Sequence, residues 1–341
     1  MKTIWKIIIV SVIAGLILVV LGLSMGASGT LYWDNKGVRV ADDGESRITE
    51  PDLGHIKSIY IKADFCDVEF ISSDHYGIDA CSYGTKWVWT LEDEILKIEQ
   101  KRTVDIQIIN IGWSRQQYQR NYLNVYLPGG AQLATVDINA ESANIDIGNF
   151  RADSVQIANS FGKVGLQYVT SGNLQIDLES GDFTGSNLDT RNLLFRSSFG
   201  KGYFQAVNAE RYTADCDSVD LDLVGCRFGE IVITNDFGAI TGRELISSRA
   251  DININSGNIS LDGDFSGETV LRSEFGKVKL STSRVKDEYS YEISTSFGFI
   301  AIDGEQTSGF GGSSLIKSGG ESENSLKIAT SSGDVEVAFA K

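Results

Sequence analysis

The stretch NSFGKVGLQYVTSGNLQIDLESGDFTGSNLDTRNLLFRSSFGKGYF, residues 159–204, repeats its pattern every 19 positions. One column of residues shows the period most clearly, because Ser and Phe alternate in it: Ser142, Phe161, Ser180, Phe199, Ser218, Phe237, Ser256 and Phe275. A Gly usually follows the column residue, as at Gly162, Gly181 and Gly200. A fixed period of this length is typical of a repeat architecture, in which each unit packs only on its neighbours.

Each 19-residue unit contains two pairs of residues with the period-two spacing of a strand. The first pair is Ile145 and Ile147 in one unit, and the second pair is Val155 and Ile157. Alternate residues of a strand point to the same face, so both pairs point inward. Stacking such units predicts an all-β, single-domain β-solenoid whose coils lie about 4.8 Å apart. An antiparallel meander or barrel of hairpins would also give two strands per unit, but the alternation is simplest if equivalent positions stack directly.

The residue two before the column changes together with the column residue. It is small or polar in the Phe units, as at Asn159 and Ser197, and usually apolar in the Ser units, as at Leu178 and Ile254. Close-packed interiors tolerate neither voids nor collisions. The pattern therefore predicts that the column is buried and that Phe199→Ser destabilises the protein by about 3 kcal/mol or more.

Charged residues alternate next to the column. Lys163, Asp182, Lys201 and Asp220 occupy one equivalent position in successive units. Exposed ion pairs contribute little stability, but like charges in register would oppose stacking. This alternation predicts a charge ladder that controls register.

The repeat becomes irregular near its end. The unit with Phe297 and Gly298 follows 22 residues after its predecessor, which indicates an insertion near 283–288. A Gly- and Ser-rich insertion at 303–324 comes next, and a last coil resumes with Leu326 and contains Ser332. The sequence thus predicts about ten coils over residues 131–341.

The N-terminal part predicts three further regions. An apolar run at 4–23 is long enough to span a bilayer, and Lys2 and Lys6 precede it. We therefore expect a short cytoplasmic N-terminus and a transmembrane helix at 1–27, a linker at 28–54 and an N-terminal β cap at 55–130. This places a single-pass protein in the cell membrane with its C-terminal domain extracellular. A cleaved signal peptide is the competing interpretation.

Charge and cysteine content exclude some functions. A net charge of −16 argues against binding to nucleic acid, which needs a clustered basic surface. The cysteines, Cys66, Cys81, Cys216 and Cys226, show no zinc-ligand spacing. Two local disulfides and buried free thiols both remain open for them.

Several motifs resemble those of the bacterial putative adhesin family, a domain of unknown function in Gram-positive envelope proteins. These motifs are the strand LNVYLPGG at 123–130 and serial units such as NSFGKV, ESGDF, NSGNI, SEFGKV and SSGDVEV. The opening strands in IKSIYIKADFCDVEF fit as well, so the resemblance covers roughly 55–341. It implies a membrane-tethered β-solenoid that faces outward, and it supplies no binding residues.

Residues for catalysis are sparse. His55 and His75 lie in the predicted cap and read as surface residues. Solenoid enzymes that cleave polysaccharides use clustered Asp residues, and the nearest analogue here is the set Asp177, Asp182, Asp215, Asp217, Asp220 and Asp222. Their placement at turns and outward positions favours solvated carboxylates. We expect no catalytic residue, metal site or cofactor.

Aromatic residues in the predicted cap offer a candidate contact surface, composed of Trp87, Trp89, Trp113 and Tyr118. Exposed aromatic side chains suit sugar rings and protein partners, although ordinary packing of the cap would also explain them. The sequence therefore predicts a non-enzymatic, membrane-anchored adhesin that binds or scaffolds a cell-wall glycan or an envelope protein. The alternative is a polysaccharide-processing enzyme that uses the Asp set.

Overall fold

The computed structural model describes residues 45–341 except 84, 103–106, 112–119, 307–313 and 319–321, together with 29–34, 37–40 and positions 5, 11, 12, 15 and 18. The strands are β1 (Gly29–Asp34), β2 (Gly37–Val40), β3 (Glu45–Glu50), β4 (Ser58–Ser73), β5 (Gly77–Tyr83), β6 (Thr85–Glu92), β7 (Ile95–Arg102), β8 (Gln107–Ile111), β9 (Tyr122–Pro128), β10 (Ala131–Phe161), β11 (Val164–Gln205), β12 (Asn208–Val224), β13 (Arg227–Phe237), β14 (Ile240–Ser256), β15 (Ile259–Phe265), β16 (Glu268–Phe275), β17 (Val278–Val285), β18 (Tyr289–Phe297), β19 (Ile300–Ile302), β20 (Glu305–Gln306), β21 (Ser314–Lys317), β22 (Asn324–Ser332) and β23 (Val335–Ala340). A 3-10 helix over Lys286–Glu288 precedes β18.

The repeats stack in parallel at the period read from the sequence. Ile145 pairs with Val164 and Phe161 pairs with Ser180, a shift of 19 residues in both cases. The pairings of β11 with β12 and of β12 with β13 keep this register. Direct stacking of equivalent positions is therefore confirmed, and the hairpin alternative is wrong for the repeats.

Residues 55–130 supply coils as well as covering strands. Strand β4 pairs in parallel with β10, with Phe65 beside Ser142, and so forms a coil of the stack. Strands β7 and β9 pair in parallel with β4 on its other side. Strands β3, β5 and β6 then pair antiparallel with the strands of this end. An antiparallel cover protects the stack from adding further strands.

The C-terminal coils do not stack in chain order. Ser332 in β22 pairs with Phe275 of β16 on one side and with Phe297 of β18 on the other. The last coil in the sequence is therefore inserted between the two coils that precede it. Strands β20 and β21 pair antiparallel with β19 and β18 and cover this end. Stacking order and chain order therefore differ at this end.

In the interior, large and small residues alternate between two equivalent positions from one coil to the next. Ring centroids of adjacent aromatic residues lie 5.0–5.5 Å apart in a buried cluster. Its members are Phe183, Phe195, Phe204, Tyr212 and Phe228. Gly185 accompanies Phe183, whereas in the next coil Gly202 accompanies Phe204; a Cβ on Gly185 would lie 2.8 Å from the Phe183 ring. Volume compensation thus operates inside the solenoid, at positions other than the Ser and Phe column.

The transmembrane part of the fold prediction is wrong for this structure. A membrane-spanning helix needs about 20 consecutive apolar residues. Among the described residues, no helix is long and apolar enough to cross a membrane. Only positions 5, 11, 12, 15 and 18 of the predicted span are described. Within the described residues, the fold is all-β and has no transmembrane helix.

Candidate functional site

The Phe residues of the alternating column lie on the surface. Their side chains are 55–66% exposed, which contradicts the predicted burial of this column. The exposed set is Phe65, Phe161, Phe199, Phe237, Phe275 and Phe297. They sit at a corner of each coil, where the chain turns between two strands and the side chain points away from the core. We call this set the Phe row.

The alternation of Ser and Phe is kept in space even where it fails along the chain. Insertion of the last coil places Ser332 between Phe275 and Phe297. At the other end, Phe65 extends the alternation beyond Ser142. Phe side chains of the row therefore recur every second coil, about 9.6 Å apart, and the row is about 48 Å long.

Side chain to backbone hydrogen bonds explain why alternate coils differ. Asn159 Nδ2 donates to the Ala143 carbonyl oxygen at 2.9 Å, and the Lys163 N–H donates to Asn144 Oδ1 at 3.2 Å. Three further junctions repeat this pair of bonds: Asn235 to Val219 with Ala239 to Asp220, Ser273 to Gly257 with Lys277 to Asn258, and Thr295 to Gly333 with Phe299 to Asp334. Each of these four junctions joins a Ser coil to the next Phe coil, so the pair of bonds recurs with a period of two coils. The Ser332 coil adds a single bond of the same kind, from Thr330 Oγ1 to the Gly276 carbonyl oxygen at 3.4 Å.

These bonds correct the interpretation of the residue two before the column. In the Phe65 coil this residue is Ala63. In the other Phe coils it is polar, and in four of them its side chain donates a hydrogen bond to a corner carbonyl of the adjacent Ser coil. The Ser197 hydroxyl is the exception, since it is buried without a hydrogen-bond partner among the described residues. Asp220 of the predicted charge ladder likewise accepts a hydrogen bond from a backbone N–H group, that of Ala239.

Corner glycines leave the flank of the Phe row free of side chains. Gly200 has φ of +130°, and a Cβ there would lie 2.0 Å from the Gly181 carbonyl oxygen. Gly162 and Gly276 also have positive φ, and a Cβ on either would meet a backbone carbonyl oxygen of the preceding coil. Because the coils approach so closely at the corner, Gly follows every Phe of the row except Phe65.

A shallow groove of about 530 Å³ runs beside the Phe row. Its lining includes five charged residues, four of them acidic: Asp177, Glu179, Arg196, Asp215 and Asp217. Arg196 Nη1 pairs with Asp177 Oδ1 at 3.2 Å, and Gln175 Nε2 donates to Asp177 Oδ2 at 2.6 Å. We call this the acidic groove. It spans the coils of Ser142 to Ser218 and offers hydrogen-bond donors and acceptors along the stack.

The structure divides the Asp set of the enzyme alternative. Asp177, Asp215 and Asp217 line the acidic groove. Asp220 accepts a hydrogen bond from the Ala239 N–H, and Asp222 forms an ion pair with Arg243 at 2.9 Å. The described residues contain no group of three or more His, Cys, Asp or Glu side chains placed to hold a metal ion.

The predicted aromatic contact surface is only partly described. Trp87 is 5% exposed and lies in the core, whereas Trp89 borders a second groove of about 490 Å³. Asn139 lines both this groove and the acidic groove, so the two adjoin. Trp113 and Tyr118 lie outside the described residues. As a binding surface this set stays a prediction.

All four cysteines are buried and free. Burial raises the pKa of the Cys66 thiol to about 12, and it does the same for Cys216. Buried neutral thiols are chemically inert, which assigns these residues to the core. Of the two alternatives that the sequence leaves open, the structure has free thiols.

Comparisons with known proteins identify the family. No curated protein gives a significant match to the chain. A putative adhesin from Bacteroides fragilis NCTC 9343 is 11% identical with a TM-score of 0.39, and the match covers 88% of this chain and 98% of that chain. A putative adhesin from Parabacteroides merdae ATCC 43184 is 12% identical with a TM-score of 0.38, covering 87% and 96%.

The Toastrack DUF4097 family profile matches residues 56–338, which is most of the chain. The match spans the β4 coil, every 19-residue repeat and the inserted last coil. This confirms the resemblance drawn from the SG and FG motifs. The chain therefore belongs to the Toastrack DUF4097 family.

Proposed function

We propose that this chain is a non-enzymatic, adhesin-like binding module displayed at the bacterial cell envelope, and that the Phe row forms its contact surface. The exposure of the row carries this proposal. Burying an aromatic side chain stabilises a protein by about 1.5–3 kcal/mol, and the chain forgoes much of that gain at six equivalent positions. Large apolar side chains exposed together along one line, unlike ones scattered singly, indicate an interaction site.

The arrangement of the row supports binding better than catalysis. Its side chains are apolar and repeat along one line, so they offer many equivalent contacts instead of one convergent centre. Repeat proteins use such extended surfaces to hold elongated partners. Many weak equivalent contacts also give strong total binding when the partner is itself long or multivalent.

Retention on isolated cell envelopes tests the proposal. The triple variant F161S/F199S/F237S should lose at least tenfold in the amount retained at a fixed concentration of the full chain. Tyr168→Ser is the matched control, because Tyr168 is an exposed aromatic residue outside the row and 59% exposed. Equal retention of the triple variant and the unaltered chain would refute a contact role for the row.

Location outside the cell is part of the proposal and has its own test. Intact cells that produce the chain are treated with a membrane-impermeant lysine reagent. We expect modification of exposed lysines such as Lys163 and Lys201 without lysis of the cells. Protection of these lysines until the cells are opened would contradict display at the surface.

A further inference from the structure

We propose that the Phe row binds a neutral, extended β-1,4-linked glycan chain that lies along the solenoid axis. This inference rests on the proposed function and identifies the chemical class of its ligand. Three features of the described residues carry it: the spacing of the row, the charges on its flanks and the hydrogen-bonding groups of the acidic groove.

The spacing of the row matches a polymer with a two-residue repeat. Phe side chains two coils apart are separated by about 9.6 Å. That distance is close to the length of two sugars in an extended β-1,4-linked chain, in which alternate residues are rotated by half a turn. Every second sugar would therefore present the same face to a Phe ring, and the intervening sugar would lie over a Ser coil.

Aromatic side chains are suited to this contact. The faces of pyranose rings carry C–H groups, which pack favourably on the negative face of an aromatic ring. The glycine after each Phe except Phe65 has no side chain that would cover the ring, and a Cβ there is sterically excluded at Gly200 and Gly276. Ser180 and Ser218 place a hydroxyl between successive rings of the row. The surface thus alternates apolar and hydroxyl groups at the glycan's own period.

The flanking charges favour a neutral ligand. On one side of the row, Lys201 in a Phe coil is followed by Asp220 in the next Ser coil. Over the coils in which Lys163, Asp182, Lys201 and Asp220 alternate, a uniformly charged polymer would meet a like charge at every second coil, whereas a neutral polyol meets donors and acceptors only. On the other side lies the acidic groove, and the chain as a whole carries −16. A polyanion such as an acidic wall polymer is therefore disfavoured.

The acidic groove supplies the polar contacts that sugars require. Arg196 and Asp177 form an ion pair in which Arg196 is 50% exposed and Asp177 is 29% exposed, so the guanidinium retains N–H groups that can bond hydroxyl groups. Glu179 and Asp217 lie on the Ser coils immediately before the column residues. Carboxylate acceptors and a guanidinium donor beside an aromatic row form the usual combination of a sugar site: a flat apolar surface with polar groups at its edge.

A second copy of this chain is the competing occupant. Two rows interdigitate, with each Phe over a Ser of the partner, when the copies run antiparallel about a two-fold axis across the row. That axis places the acidic groove of one copy against the acidic groove of the other. Like charges brought together at an interface are unfavourable, which disfavours this dimer.

Binding of defined oligosaccharides to the full chain tests the inference. Calorimetric titrations use cello-oligosaccharides and chito-oligosaccharides of two to eight residues. We expect affinity to rise in steps of two sugars and the triple variant F161S/F199S/F237S to bind the hexasaccharide at least tenfold more weakly. Tyr168→Ser should bind unchanged. Malto-oligosaccharides, which curve, and carboxymethylated cellulose, which carries negative charge, should bind at least tenfold more weakly than their β-1,4-linked neutral counterparts.

The possible failures are distinguishable. If the triple variant loses retention on envelopes while no β-1,4-linked oligosaccharide binds, the glycan inference is wrong and the proposed function stands. If retention is unchanged as well, both are wrong. If sedimentation shows that the unaltered chain dimerises and the triple variant does not, the row is an interface between copies. Melting curves and circular dichroism confirm that each variant is folded.

Discussion

Two neighbouring phenylalanines should respond very differently to truncation. Phe195 is 0% exposed and Phe199 is 57% exposed, although both lie in β11 within the same coil. Phe195→Ala removes a ring that contacts Phe183 and Phe204, so we expect a loss of about 3–5 kcal/mol. Phe199→Ala removes a ring that is less than half buried. Scaling the free energy gained by burying a whole Phe side chain to the buried part of this ring gives a loss of stability of about 1 kcal/mol.

The assay is equilibrium unfolding in urea, followed by circular dichroism and tryptophan fluorescence. Agreement of the two signals establishes whether one transition describes the array, as repeat proteins do not always unfold in a single step. A midpoint shift at least twice as large for Phe195→Ala as for Phe199→Ala is expected. Equal shifts, or a larger one for Phe199→Ala, would refute the assignment of the alternating column to the surface and with it the Phe row.

Four further outcomes follow from the fold and are measured by thermal melting unless stated. Gly200→Ala should destabilise by at least 2 kcal/mol, because the Cβ meets the Gly181 carbonyl and φ is positive, whereas Gly129→Ala meets no atom within 4 Å and should be nearly neutral. Asn235→Leu should cost about 1–3 kcal/mol by leaving the Val219 carbonyl unsatisfied, and Asn255→Leu on the surface should not. Burial raises the pKa of the Cys66 and Cys216 thiols to about 12, whereas a thiol in the unfolded chain has a pKa of about 8.5. Stability should therefore be unaffected by thiol ionisation below pH of about 8.5 and should fall as pH rises from there towards 12. A stability curve without that fall would contradict the burial of these thiols. A chain that ends before β22 should lose protection from proteolysis in β18 and β19, since the last coil separates them from β16 and β17; unchanged protection would contradict the insertion.

The period of 19 residues could be read from the sequence because every coil repeats the same backbone path. Inward positions such as Ile145 and Ile147 follow from period two alone, and both are buried. Stacking order near the end could not be read, because a coil inserted out of chain order leaves each local strand pattern unchanged. The spatial alternation offered a signal: Phe297 follows Phe275 without a Ser unit between them, and Ser332 is the residue that fills the gap.

The Phe residues of the alternating column face solvent, whereas the sequence pattern predicts their burial, and the difference has a physical reason. A strand pattern identifies which residues share a face, but at a corner the chain turns and the pattern loses its phase. The polar residue two before most of the Phe residues indicates which side faces the interior. Asn159 and Asn235 are poor partners for a buried Phe but good partners for a corner carbonyl, which places them inside and the Phe outside. The need of buried backbone groups for hydrogen-bond partners therefore distinguishes the two possibilities.

The inserted last coil shows that the two-coil unit is set by spatial contact instead of chain order. Had the Phe297 coil stacked directly on the Phe275 coil, its Phe299 N–H would have faced Lys277, whose side chain has no hydrogen-bond acceptor. In the observed order it faces Asp334, and Thr295 reaches the Gly333 carbonyl at 2.9 Å. Corner hydrogen bonding therefore favours a Ser coil at this place, and the chain returns after the Phe297 coil to supply one. The same preference keeps the exposed Phe side chains evenly spaced along the row, so bonds that stabilise the solenoid also support the two-coil period of the surface that it presents.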